Sequence, residues 1–259
     1  MTALLGAAAL SALLAQTPTS PPPPAPVVAP TVANPFTNLL PNLGEDVRAM
    51  PTLENAGILA VGGVLSLVFK NNHDERLHTW VLEQTSDSSV ASVGNVLGDG
   101  ITQGAAAVAV WAIGRGTGSV RAESTGATLI RAQILNGLFT QGLKLAVDRT
   151  RPDGGSHSFP SGHTSAAFAT AAVLHHEFGL GAAVPAYALG GLIGWSRVRS
   201  NHHWLSDVAF GAALGLVAGR AASHSAPTGW SVVPVKTPGG AALYVVRTGR
   251  APAASRPPR

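Results

Sequence analysis

Three short stretches of this chain hold residues that could handle a tetrahedral oxyanion: Lys144-x6-Arg151-Pro152, Pro160-Ser161-Gly162-His163 and Ser196-Arg197-x5-His203-x3-Asp207. Together they supply three fixed positive charges, two imidazoles and one carboxylate. Cations bind an oxyanion through charge-assisted hydrogen bonds, one imidazole can attack phosphorus, and the other can protonate what leaves. Each stretch alone is weak. The three in this order point to phosphate chemistry.

The spacing has physical content. His203 and Asp207 are four apart, which on a helix puts them one above the other on one face. There the carboxylate accepts a proton from one ring nitrogen and leaves the other free as a nucleophile. Arg197 ends the preceding apolar run, close enough to reach the same cavity. Lys144 closes a helical pattern, and the proline after Arg151 disfavours continuing that helix, so both cations can sit near one helix end. Pro160-Ser161-Gly162-His163 precedes the run 164–174 and reads as a helix start, whose free N–H groups and positive dipole end suit an anion. Gly162 lets the backbone approach a ligand, and Ser161 can add a hydroxyl donor. Arg149 and His202 flank these residues as candidates for extra contacts. His73, His78, His175, His176 and His224 read as surface or packed residues.

In these motifs, and in the flanking Phe159, Trp204, Val208 and Gly211, the chain resembles the type 2 phosphatidic acid phosphatase and vanadium haloperoxidase superfamily. The resemblance implies a phosphoric ester hydrolase. In it His203 attacks phosphorus and carries a phosphohistidine, Asp207 orients His203, and His163 protonates the leaving oxygen and then activates water. Lys144, Arg151 and Arg197, with the Ser161 hydroxyl and the Gly162 N–H, would hold the non-bridging oxygens. No metal and no cofactor are implied, because fixed cations spread the transition-state charge, and vanadate is expected to inhibit as a mimic of that state. The implied substrates are small phosphomonoesters, or lipid phosphates and diphosphates. A vanadate-dependent haloperoxidase using the same pocket is the alternative, and an integral-membrane lipid phosphatase is a second.

The elements that must position these residues read as helices at 52–70, 74–83, 101–114, 122–147, 162–178, 182–198 and 203–222. The expected fold is therefore all-α, a compact helical bundle of about six core helices over 51–224. Residues 225–249 change character, with apolar runs either side of Thr237-Pro238-Gly239-Gly240, and predict a short C-terminal β-hairpin. The tail 250–259 reads as disordered.

Composition bounds the rest. The chain has 259 residues, 46% hydrophobic and 12% charged, enough for one good-sized core. Its net charge of +4 clusters around the motifs with no basic run elsewhere, which favours an anionic small substrate over nucleic acid. With no cysteine, disulfides and thiolate metal sites are excluded. An apolar run at 3–15 is too short to span a bilayer and suggests a signal peptide over 1–16. The stretch 17–50 opens with eight prolines before residue 36 and reads as an extended, disordered tether. The later apolar runs are each short or interrupted, in one case by Arg131, Gln133, Asn136 and Gln141. That favours an exported, periplasmic or extracellular domain, soluble or in peripheral contact with a membrane, over an anchored or integral one.

Overall fold

The computed structural model describes residues 36, 38–84, 89–225, 229–237 and 240–248. The expectations for 1–16 and 250–259, and for the tip of the hairpin at 238–239, lie outside the described residues.

The helices are α1 (Leu39–Arg48), α2 (Leu53–Asn72), α3 (Asp74–Gln84), α4 (Ser89–Leu97), α5 (Gly100–Thr117), α6 (Val120–Val147), α7 (Gly162–Phe178), α8 (Leu180–Arg199) and α9 (Leu205–His224). Local chemistry sets several of their starts. Thr52, Asp99 and Ser119 each accept a backbone N–H from the first turn of the helix that follows. Left-handed residues close two of them, Gly118 after α5 and Asp148 after α6.

The expected fold class needs correction. The domain is helical throughout, built among its described residues from nine helices rather than about six, and no strand enters its core clusters. The two strands Gly229–Thr237 (β1) and Gly240–Thr248 (β2) pair only with each other, Pro234 opposite Leu243. Two strands cannot bury a core of their own, so the hairpin is no structural layer of this fold. The two unforeseen helices are α1, inside the stretch read as tether, and the nine-residue α4. Helices this short are held by tertiary contacts. Arg131 of α6 pairs with buried Asp46 of α1 at 2.5 Å and also donates to the Ala222 carbonyl at the end of α9.

The 28-residue α6 runs through the middle of the bundle, about 42 Å long. Leu129, Ile130, Ala132 and Leu135 join core clusters with residues of α5, α7 and α9. The contact that matters most for the site is between α7 and α9. Gly211, Gly215 and Gly219 repeat every fourth residue on α9 and face Ser161, Ser165 and Ala169, where an added Cβ would strike the facing carbonyls. Only glycine lets these two backbones approach so closely.

Candidate active site

The first motif ends α6. Lys144 lies in the last turn, its carbonyl accepting the Asp148 N–H. The chain then folds back through 149–161. Arg151 N bonds the Gly155 carbonyl at 2.7 Å, Gly154 takes φ +87, and Ser158 N bonds the Arg149 carbonyl at 2.7 Å. This loop is stitched to the third motif. Asp153 N reaches the Asn201 carbonyl, Ser161 N reaches the Asp207 carbonyl at 3.0 Å, and Trp204 Nε1 donates to the Thr150 carbonyl at 2.9 Å. Three stretches separated in sequence are thus one hydrogen-bonded assembly.

Lys144, Arg151, Gly162, His163, Arg197 and His203 line a single cavity of about 470 Å³. Lys144 Nζ donates to the His157 carbonyl at 2.6 Å, and Arg197 Nη1 donates to Asn95 Oδ1 of α4. The Nε donors of Arg151 and Arg197 are buried and find no partner among the described residues. Buried donors without partners are costly unless a ligand or solvent meets them, and two converging on one cavity suit an anion.

His203 does not stand on the helix with Asp207. It lies in the turn before α9, its N–H on the Arg197 carbonyl, while Asp207 occupies the first turn and accepts the Trp204 N–H at 2.9 Å. His203 Nδ1 is 3.7 Å from Asp207 Oδ2, beyond hydrogen-bond length, so the carboxylate acts on the ring by proximity and charge in this state. Burial pushes the His203 imidazole down to about 4; Asp207 opposes this, and Lys144 and Arg197 add to it. His203 is therefore neutral at ordinary pH, as a nucleophile must be.

Four expected site residues do not line the cavity. Ser161 is buried with its hydroxyl on Thr164 Oγ1 at 2.9 Å. Asp207 stands behind His203. His202 lies beside the cavity, burial lowering its imidazole pKa. Arg149 points away from the cavity and pairs with Asp207 at 2.6 Å and Asp74 at 2.8 Å. Conversely, Asp99, Gln133, Asn136, Thr140 and Gln141 line the cavity and were not singled out by motif. Asn136, Thr140 and Lys144 follow one another at four-residue steps on α6, a periodicity that could have revealed them.

A model of the PAP2 superfamily matches residues 153–230, which hold the second and third motifs. The first motif lies immediately before that stretch, and all three converge on one cavity. Over residues 153–230 the chain is thus similar to the type 2 phosphatidic acid phosphatase superfamily. Among relatives, the lipid A 1-phosphatase of Porphyromonas gingivalis is 41% identical over 90 residues. That match takes in 33% of this chain and 20% of the relative, so the chain spans only about a fifth of that curated relative. Of solved structures, LpxE of Aquifex aeolicus is 22% identical with a TM-score of 0.49, covering 57% of this chain and 93% of that one. A transmembrane PAP2 type phosphatidylglycerolphosphate phosphatase from Bacillus subtilis is 19% identical with a TM-score of 0.32, covering 74% and 94%.

Proposed function

We propose that this protein is a membrane-held, metal-independent lipid phosphatase of the type 2 phosphatidic acid phosphatase kind that works through a phosphohistidine. One observation carries the reading: Lys144, Arg151, Arg197, His163 and His203 converge on one cavity. In the proposed cycle the cations and the Gly162 N–H hold the non-bridging oxygens. His203 Nε2 attacks phosphorus while the bond to the leaving oxygen breaks, and His163 gives that oxygen its proton. His163 then takes a proton from water, which attacks phosphorus. The P–N bond breaks, releasing inorganic phosphate and neutral His203. Charge developing on the equatorial oxygens is met by donors already in place.

Two observations support a lipid substrate, where the sequence left small phosphomonoesters and lipid phosphates both open. The relative named as a lipid A 1-phosphatase shares 41% of 90 residues, so the class proposed is a phosphate monoester on a lipid, glycolipids included. In addition, α2 is long and apolar enough to cross a membrane, and exposes Leu53, Val61, Val64, Leu67 and Val68. Exposed apolar surface of that extent marks contact with lipid or another protein.

The test is phosphate release by the detergent-solubilised chain from phosphatidate, lipid A and a soluble aryl phosphate, each with EDTA or vanadate. Lipid phosphates are expected to be hydrolysed with the higher kcat/KM, unaffected by EDTA and inhibited by vanadate. Activity lost to EDTA and restored by a divalent ion would refute the metal-free reading. An aryl phosphate preferred over both lipids would refute the lipid one.

A further inference from the structure

Asp207 is held by more than its own helix. Its Oδ2 accepts from Ser158 Oγ at 2.5 Å and from the Trp204 N–H, and its Oδ1 accepts from Arg149 Nη1 at 2.6 Å. The other arm of that guanidinium, Nη2, donates to Asp74 Oδ2 at 2.8 Å. Asp74 opens α3, outside all three motifs. It accepts the Ser206 N–H at 3.0 Å and the Ser206 hydroxyl at 2.5 Å, and that hydroxyl accepts from Arg149 at 2.6 Å. Arg149 also lies 5.6 Å over the Trp204 ring, which fixes its plane. Both carboxylates are almost completely buried.

A buried carboxylate facing one guanidinium alone would be neutralised by it and would offer little charge to a neighbouring imidazole. Here one guanidinium is shared between two carboxylates, so the cluster keeps one net negative charge. We propose that Arg149 and Asp74 are positioning residues, which fix the Asp207 carboxylate behind His203 and set how much negative charge it presents to that ring. The assignment rests on the phosphatase reading above. It replaces the idea that Arg149 contacts phosphate, since its side chain is committed to two carboxylates and does not line the cavity.

The charged and titratable groups facing His203 are Lys144, Arg151, Arg197, His163 and Asp99 across the cavity, and Asp207 with Arg149 from behind. Removing Asp74 as Asp74→Asn leaves Arg149 to draw wholly on Asp207, making the protonated ring less favoured. Removing the cation as Arg149→Gln does the opposite. Both variants should lower kcat by roughly 10- to 100-fold with KM for a soluble aryl phosphate nearly unchanged. The acid limb of the pH profile should move to lower pH in Asp74→Asn and to higher pH in Arg149→Gln. A merely structural role would not move the limb in opposite directions.

The experiment is the kcat/KM pH profile of the full-length chain and these two variants, with thermal melting as the check on folding and His203→Ala as control. If a variant fails to fold, Ser206→Ala replaces it, removing one partner of Asp74 and one of Arg149, with a smaller loss in kcat expected. Unchanged kcat and an unmoved limb in a folded variant overturn the proposal, as does a raised KM with kcat unchanged. A wild-type chain that releases no phosphate overturns the phosphatase reading instead, so the two failures are distinguishable.

Discussion

Helices α2 and α9 have the same length, 20 residues, and nearly the same mean hydropathy, yet opposite surroundings. In α9, 61% of the most apolar window is buried, against 17% in α2. The apolar residues of α9 are consumed by the core, where Leu214, Val217, Ala218 and Ala221 pack, and its first turn carries Asp207. Those of α2 face outward. The comparison teaches that hydropathy alone cannot tell a core helix from a lipid-facing one; the partner does. On the proposed reading chemistry belongs to α9 and membrane contact to α2, and each proposal can be broken separately.

The largest expected effect lies at the approach to α9. His203→Ala should abolish phosphate release, by a factor on the order of 10⁶ in kcat, while leaving the melting temperature nearly unchanged. A variant retaining even a hundredth of the activity would remove the phosphohistidine from the mechanism. Next comes Asp207→Asn, with a loss on the order of 10⁴-fold in kcat and little change in KM, because the amide keeps the shape and loses the charge. A kcat within a few-fold of wild type would reduce Asp207 to a scaffold.

Smaller effects test the frame around the chemistry. Because the neutral His203 ring is the reactive form and its pKa is held near 4, the acid limb of kcat/KM should fall near that value. His163, which burial also lowers to about 4 before substrate binds, must carry a proton to act as the acid, so activity should fall again on the alkaline side. An acid limb centred near the ordinary imidazole value of about 6.5 would show that the nucleophile is not buried as described. Gly215→Ala would set a methyl group against the Ser165 carbonyl and should cost about 1–3 kcal/mol, read as a lower melting temperature. An unchanged melting temperature would mean that α7 and α9 are less closely packed.

The smallest catalytic effect belongs to α2. Val64→Asp should weaken partition into the membrane fraction, since a carboxylate at mid-helix costs roughly 3 kcal/mol in lipid, yet leave aryl phosphate hydrolysis in detergent within about two-fold. Wild-type chain recovered wholly in the soluble fraction would break the contrast between the two helices at its base.

Much of the site was legible because it is written in local spacing. The seven anticipated helices match α2, α3 and α5 through α9 in position, and the cavity gathers Lys144, Arg151, Gly162, His163, Arg197 and His203. What escaped has a common cause. The polar residues of α6 were read as interruptions that argued against a membrane helix, although Gln133, Asn136, Thr140 and Gln141 form the wall of the cavity. A polar residue within an apolar helix has the same composition whether it meets solvent, lipid or an enclosed site. Arg149 read as a candidate for an extra contact, because its partner Asp74 lies 75 residues away. Asn95, which holds Arg197, lies 102 residues from it on a helix too short to announce itself.

The sequence by itself determined the chemistry available and the helices that carry it, since residue identity fixes charge and nucleophilicity, and short-range periodicity fixes helix formation. Tertiary structure alone decided which charges face the cavity and which stand behind it, which apolar helix is core and which is exposed, and that His203 sits in a turn rather than on the helix of Asp207. Those choices depend on burial and on partners distant in the chain, and neither is a property of any local stretch.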